Sequence, residues 1–534
     1  MKQRKFRSLH SHFISKYPKL FLCLLVSVLV LFSCSEKRAI KEQEKYGEPH
    51  RPQLHFSPDS MWMNDPNGMV YLDGEYHLFY QYYPDSTVWG PMHWGHAISC
   101  DLIHWEHLPI ALYPDSLGWI FSGSAVADLQ NTSGLGTANN PPLVAIFTYH
   151  NNTNGIIFPQ SQGIAYSLDK GRTWSKYAGN PVLITNELPD FRDPKVVWHE
   201  TSHKWIMALA VKDHVAFYSS FNLIDWNHES NFGFEVGEHR GIWECPELLK
   251  MEDEGGKEKW VLFVSINSSG PNKGSGTQYF VGDFDGFNFT SSQKQIKWID
   301  FGSDNYAGVT WSNVPKEDGR TLFLGWMSNW MYATVVPTDN WRNAMTFPRE
   351  LTLTEDNFLR SLPVRELELL RGLEYKTGPF QLDGEFSLAD KVPFELYPVE
   401  LNLEYETNSD AILEIILSNS RKEKVVIAFN AVDNTMIIDR SKSGSVAFSD
   451  VFYTTHVAPI KQGTRVGDIR LKSNTQVQML IDVSSIEVFV NEGETVMTDI
   501  FFPSEPFKQI TFQAVNGNIK IEKASVYKLN SIWN

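Results

Sequence analysis

From His55 to about Leu353 the chain alternates apolar and polar positions in short runs. Examples are Val70-Tyr71-Leu72, Tyr76-His77-Leu78-Phe79-Tyr80, Leu143-Val144-Ala145-Ile146-Phe147, Trp205-Ile206-Met207-Ala208-Leu209, Trp260-Val261-Leu262-Phe263-Val264 and Thr321-Leu322-Phe323-Leu324. Turn formers separate the runs, and no long segment keeps a 3.6-residue period. Side chains of a strand alternate between two faces, so this pattern predicts strands throughout and an all-β fold. A longer period overlies the short one. Ser99-Cys100-Asp101-Leu102-Ile103-His104-Trp105 is echoed by Ser167-Leu168-Asp169-Lys170-Gly171-Arg172-Thr173-Trp174 and by Ser220-Phe221-Asn222-Leu223-Ile224-Asp225-Trp226. Asp283-Phe284-Asp285-Gly286-Phe287-Asn288-Phe289 reads as a decayed fourth copy. Repeats of this length, a few strands each, predict propeller blades.

From about Thr354 the pattern changes. Leu362-Pro363-Val364-Arg365-Glu366-Leu367-Glu368-Leu369-Leu370 predicts a short linking helix. Alternating strands follow, such as Val425-Val426-Ile427-Ala428-Phe429 and Ile486-Glu487-Val488-Phe489-Val490, the latter closed by a hairpin turn at Asn491-Glu492-Gly493-Glu494. This is the pattern of a β-sandwich. The domain plan is an export segment over 1–34, a tether over 35–53, a propeller over 54–353, a linker over 354–375 and a sandwich over 376–534.

The start of the chain reads as an address. Lys2, Arg4, Lys5, Arg7, Lys16 and Lys19 precede an apolar run from Leu20 to Phe32. That run is shorter than the roughly 20 residues a membrane-crossing helix needs, so it reads as a secretory signal. Its end, Leu31-Phe32-Ser33-Cys34, resembles a bacterial lipoprotein box. The resemblance implies lipidation at Cys34 and an exported protein anchored to the bacterial outer membrane, on its periplasmic or outer face. Ser35 to Gln53 is charged and poor in apolar residues, as a flexible tether is.

Composition narrows the class. Aromatic residues make up 13% of the chain and 17 are Trp, a supply of flat rings suited to sugar faces. The net charge of −16 argues against nucleic acid as a partner. Cys23 and Cys34 belong to the export segment, which leaves only Cys100 and Cys245 and implies no disulfide framework. No CxxC or HExxH spacing occurs, so no metal or other cofactor is expected.

The chemistry-bearing stretch is Trp62-Met63-Asn64-Asp65-Pro66-Asn67-Gly68, whose Asp-Pro and Asn-Gly pairs are turn formers. Carboxylates in similar settings recur at Arg192-Asp193-Pro194 and Glu244-Cys245-Pro246. With Ser122 (in Phe121-Ser122-Gly123-Ser124) and Asp304 (in Asp304-Asn305-Tyr306-Ala307) they make five motifs spaced by 57, 71, 51 and 60 residues, one per repeat. In a propeller the first strand of each blade lines the axis, so five motifs in one phase converge at one mouth of the funnel.

With these motifs the chain resembles glycoside hydrolase family 32, the invertase, inulinase and levanase family, from about Arg51 to the C-terminus. Trp94-Gly95-His96 and Trp341-Arg342-Asn343-Ala344-Met345-Thr346 add to the likeness. The resemblance implies a five-bladed β-propeller followed by a β-sandwich, and a retaining glycosidase acting on a fructan or fructo-oligosaccharide. It implies Asp65 as nucleophile, Glu244 as general acid/base and Asp193 as transition-state stabiliser, with Arg192 beside Asp193 keeping it ionised. It further implies a fructose pocket containing Trp62, Asn64, Gln81, Trp89, Phe121, Ser122, Arg192, Asp304 and Trp326. Cys245 is expected to pack or tune rather than attack, since the motif places no base for it. Ile120-Phe121-Ser122-Gly123-Ser124-Ala125 and the run from Gly274 to Asp283 resemble exo-acting members. Ser268-Ser269-Gly270-Pro271 replaces a Gly-richer loop, which leaves endo action open, along with the choice among levan, inulin and sucrose. A non-catalytic fructan-binding lipoprotein and a fructosyl transferase are the rivals. The sandwich is expected to buttress the propeller.

Overall fold

The computed structural model describes residues 46–153, 156–185, 188, 190–407, 411–452, 455–460 and 474–533. The export segment, Cys34 and most of the tether lie outside the described residues. Residues 50–532 form one compact unit; the described residues of the smaller unit are 46–49 and 533, and in it the rings of Tyr46 and Trp533 stack at 4.0 Å.

Five antiparallel sheets form the propeller. Their inner strands are Met61–Leu72, Trp119–Ala127, Phe191–His199, Trp243–Glu252 and Tyr306–Thr310, and each packs on the next until the fifth meets the first. The ring is closed by Trp341–Arg342 of the last blade, which lies parallel along Met61 and Trp62. The alternation seen in sequence fades on Met61–Leu72 and Phe191–His199, which are buried nearly throughout because neighbouring blades cover both faces, and persists in part on Trp119–Ala127. The fifth blade extends to a fourth strand, Leu359–Pro363, so it ends beyond the expected Leu353. A 3-10 helix, Arg365–Leu370, makes the link.

The Ser-x-Asp repeat is the turn between the third and fourth strands of a blade. In blade one Asp101 Oδ1 accepts the backbone N–H groups of Ile103 and His104 at 3.0 and 2.8 Å. Asp169 Oδ1 accepts from Thr173 N at 2.9 Å, Asn222 Oδ1 from Asp225 N at 2.8 Å and Asp285 Oδ1 from Asn288 N at 2.7 Å. In each of these four turns a short side-chain acceptor ties up turn N–H groups, which is why the motif repeats.

The sandwich packs a sheet containing Val399–Thr407, Thr475–Ile481, Ser485–Val490 and Thr495–Ile500 on one containing Ile412–Ser418, Lys424–Asn430 and Gln509–Val515. Ile412–Ser418 alternates strictly between buried and half-buried residues, as a sheet with one wet face does. Ser485–Val490 and Thr495–Ile500 are buried on both faces. One side, with Ile486, Val488 and Met497, faces the sandwich core; the other carries Glu487 and Thr498 against the propeller. There Arg349 Nε donates to Glu487 Oε2 at 2.9 Å and its Nη1 to Asp300 Oδ2 at 2.9 Å. His55 bridges Asp482 and Glu487, each at 2.8 Å.

Candidate active site

Each inner strand breaks its pairing register at a shared level, and the first breaks it again between Asn67 and Val70. The shared shifts fall between Met63 and Pro66, Ile120 and Gly123, Arg192 and Lys195, Glu244 and Glu247, and Tyr306 and Val309. The Asp65-Pro66, Asp193-Pro194 and Cys245-Pro246 pairs, expected in turns, are therefore β-bulges inside strands. A bulge frees a residue from the ladder, which accommodates proline and re-aims the side chain beside it. Asp193 and Cys245 take φ of 64° and 45°, the left-handed region that a regular strand excludes. Five bulges at one level turn five side chains towards one mouth of the channel.

The result is a cavity of about 730 Å³. Asp65, Asp193 and Glu244 line it together, with Asn64, Gln81, Trp89, Phe121, Ser122 and Arg192. Ser122 Oγ donates to Asp65 Oδ2 at 2.7 Å and Asn64 Nδ2 to Asp65 Oδ1 at 3.0 Å. Trp62 Nε1 in turn donates to Asn64 Oδ1 at 2.7 Å. The thiol of Cys245 lies between two carboxylates, 3.5 Å from Asp65 Oδ2 and 3.7 Å from Asp193 Oδ2, and its backbone N–H donates to Asp193 Oδ2 at 3.0 Å. Gln81 Nε2 is held by the carbonyl of Ile120 at 3.0 Å. Phe121 stacks on His150 with centroids 4.3 Å apart, and Trp89 meets Phe121 edge-on at 6.1 Å.

Burial sets the electrostatics. It pushes Asp65 above the usual carboxylate range, against the hydrogen bonds of Ser122 and Asn64. It pushes Asp193 up to about 7; Arg192 opposes the rise, while Glu244 and Asp65 add to it. Burial and the surrounding carboxylates hold the Cys245 thiol well above its ordinary value, so it stays protonated and serves as a weak donor.

The placement corrects several expectations. Arg192 does not pair closely with Asp193, from which its Nε stands 3.9 Å away. It holds Glu244 Oε1, with Nη2 at 2.9 Å and Nε at 3.2 Å, and Asp190 Oδ1, with Nη1 at 2.6 Å. Asp304 does not line the cavity. It is fully buried at the sandwich, where its Oδ2 takes Arg440 Nη1 at 2.7 Å and its Oδ1 takes the Tyr332 hydroxyl at 2.7 Å. The fifth register shift falls between Tyr306 and Val309, so the residue in phase with Glu244 is Tyr306 and not Asp304. Trp62 and Trp326 are fully buried behind the cavity wall; the ring that lines it is Trp330, with centroids 6.0 Å from Trp62 and 4.9 Å from Trp326.

Sequence reasoning also passed over Tyr306, whose hydroxyl donates to Glu244 Oε2. Burial and Glu244 hold this phenol well above its ordinary value, so it remains a donor. Its position at the fifth bulge was the available signal. Phe158, Gln160 and Leu188 complete the wall from loops with no motif of their own.

Three carboxylates around one hollow, one of them at 18% the most open and held by an arginine and a phenol, can supply a nucleophile and a proton donor to a single bond. Comparison with known proteins fits this chemistry. The model of the glycosyl hydrolases family 32 N-terminal domain matches residues 55–363, and that of the family 32 C terminal matches residues 366–528. The levanase of Bacillus subtilis (strain 168) is 42% identical over 522 residues, covering 95% of this chain and 75% of that protein. The extracellular exo-inulinase of Aspergillus awamori is 36% identical, over 92% of this chain and 96% of its own. The invertase of Schizosaccharomyces pombe is 36% identical, over 92% and 87%. Among solved structures, the exo-inulinase from Aspergillus awamori superposes with a TM-score of 0.83 at 34% identity, covering 91% of this chain and all (100%) of that one. The fructofuranosidase from Schwanniomyces occidentalis complexed with fructose gives 0.82 at 32%, covering 91% and 99%. Both halves of the chain thus match one family in sequence and in fold: it belongs to glycosyl hydrolase family 32 and is a glycosidase of the β-fructosidase type.

Proposed function

We propose that this β-fructosidase is retaining and exo-acting, and removes terminal fructose from β-fructans of the levan or inulin type. Asp65 attacks the anomeric C2 while Glu244 gives its proton to the departing glycosidic oxygen. A fructosyl ester on Asp65 results. Water then enters, Glu244 takes its proton, and the oxygen attacks C2, releasing fructose and the Asp65 carboxylate. Asp193 accepts hydrogen bonds from the ring hydroxyls; charged acceptors make the stronger bonds, and such bonds favour its ionised form.

The observation that carries the reading is the meeting of all three carboxylates in one sugar-sized hollow, with Glu244 the most exposed of them. That exposure suits the group that must meet first a leaving group and then water. Exo action is supported by the exo-inulinase relatives and by the aromatic wall of Trp89, Phe121, Phe158 and Trp330. The test is a timed digest of levan and inulin. Free fructose alone is the expected product, and its anomeric form at early times should be that of the substrate. A ladder of oligomers would replace exo by endo action, and an inverted product would remove the covalent step. Glu244→Gln should lose at least ~10³-fold in kcat on a natural fructan with the fold intact; parental turnover would refute its role.

We also propose that the protein is exported and lipid-anchored through Cys34, a reading supported by the basic flank, the short apolar run and the box that ends it. Cys34→Ser should move the protein from the membrane to the soluble fraction and abolish incorporation of labelled fatty acid; unchanged labelling would refute it.

A further inference from the structure

At the far ends of the same inner strands lies a second cavity of about 410 Å³. Trp198 sits five residues beyond Asp193 on one strand, roughly 17 Å at the rise of an extended chain. Between the two cavities there is only a throat of about 20 Å³, lined by Asp193, Cys245, Lys195 and Glu247 among others. The buried pair Lys195 Nζ–Glu247 Oε1, at 2.8 Å, stands at the floor of the rear cavity.

Four tryptophans line this rear cavity: Trp198, Trp205, Trp260 and Trp311. Trp205 and Trp311 are committed to the fold, their indole N–H groups donating to Thr132 Oγ1 at 2.8 Å and to the carbonyl of His77 at 2.9 Å. Trp198 and Trp260 are half-buried, and the buried indole N–H of Trp198 has no acceptor among the described residues. Around the rim stand Gln130, Glu200, Lys250 and Asn313. Of the charged groups in the lining, Lys195 pairs with Glu247 and Asp128 is taken up by Thr132 and Ser133, which leaves Glu200 and Lys250 at the rim and no strong charge of one sign to select an ion. The size falls in the roughly 300–1,000 Å³ range of ligand sites, and the lining has their character: aromatic walls with a few polar groups. Flat rings beside neutral hydrogen-bonding groups suit an uncharged, polyhydroxylated ligand that presents C–H faces.

We infer that the rear cavity is a non-catalytic binding site for an internal stretch of the β-fructan chain whose end is being cut at the front. This rests on the fructanase reading above. Holding the polymer at a second point raises the effective concentration of chain ends at the front cavity, with no new contact to the reacting sugar. The benefit exists for a long polymer and not for sucrose, which cannot engage both sites at once.

The test compares the parent, the double variant Trp198→Ala/Trp260→Ala, and Gln130→Trp, which fills the cavity from an exposed rim position without removing packed atoms. Retardation in native gels containing levan or inulin is measured in a Glu244→Gln background. kcat/KM is measured on sucrose and on high-molecular-weight fructan with the acid intact. The expected result is a loss of retardation and a roughly 3–10-fold fall in kcat/KM on the polymer at low concentration, with sucrose kinetics within about twofold of the parent. Retardation surviving in Gln130→Trp would overturn the inference. So would an equal fall on both substrates in both cavity variants, or retardation by an unrelated polysaccharide and not by fructan. Failure of the underlying reading looks different: the parent itself would then hydrolyse no fructan.

Discussion

Tyr306 and Arg192 divide the two oxygens of Glu244 between them, the phenol on Oε2 and the guanidinium on Oε1. The carboxylate is thereby fixed in two directions at the mouth of the cavity. Losing one buried hydrogen bond to a charged group costs about 1.5–3 kcal/mol. Tyr306→Phe should therefore lower kcat on sucrose by roughly 10- to 100-fold, through misplacement of Glu244, with a smaller change in KM. A variant with parental kcat would show that Arg192 alone suffices. The three acids themselves were legible at this scale, because each sits in an intact motif. Arg192 was expected to keep its neighbour Asp193 ionised, and its charge does oppose the rise there; its hydrogen bonds, however, go to an acid 52 residues away, since a guanidinium reaches across blades while adjacent strand residues point apart.

The bulge is the element on which the site depends. The chain marks it with Asp-Pro, Cys-Pro and Ser-Gly pairs, which read as turns in isolation because the same residues serve both purposes. At Gly123 the need is steric. A Cβ there would lie 2.0 Å from the carbonyl oxygen of Ile146, so the two strands can approach only over a glycine. Gly123→Ala should push the second blade's bulge outward, moving Ser122 off Asp65. A loss of about 1–3 kcal/mol in stability is expected, the usual cost of overpacking a buried site, with kcat falling in whatever remains folded. Melting temperature and sucrose turnover check it; a variant matching the parent in both would mean the bulge yields cheaply. The turns of the first four blades were readable as repeats because each uses the same side-chain acceptor. The fifth blade lacks a clear copy, and its catalytic phase was correspondingly misplaced onto Asp304.

At the scale of the whole molecule, the sandwich and propeller are joined through buried ions. Asp304 and Tyr332 are gripped by Arg440, and the loop carrying Tyr332 also carries Trp330 into the cavity wall, so the sandwich helps to shape the site as well as to buttress it. His55 lies between Asp482 and Glu487. Burial by itself would lower its pKa, but the hydrogen bonds and charges of the two acids outweigh it and raise the value to about 9. A group whose folded pKa exceeds its unfolded one contributes stability that is complete below the unfolded value, here 6.5, and is lost as pH rises through about 9. The contribution is on the order of 3 kcal/mol at most. His55→Gln should thus melt well below the parent at pH 6, with the gap narrowing towards pH 9.5. A gap independent of pH would mean His55 acts by packing alone.

The all-β class, the blade repeat, the family and the three acids were determined by local sequence, because strand period, turn acceptors and short motifs are written in neighbouring residues. Which side chains share the cavity was decided only by the tertiary structure. Trp330 in place of Trp326, Tyr306 in place of Asp304, and Arg192 turned to Glu244 all depend on where bulges and loops from different blades come to rest. That is set by packing among residues distant in sequence, on which the local pattern is silent.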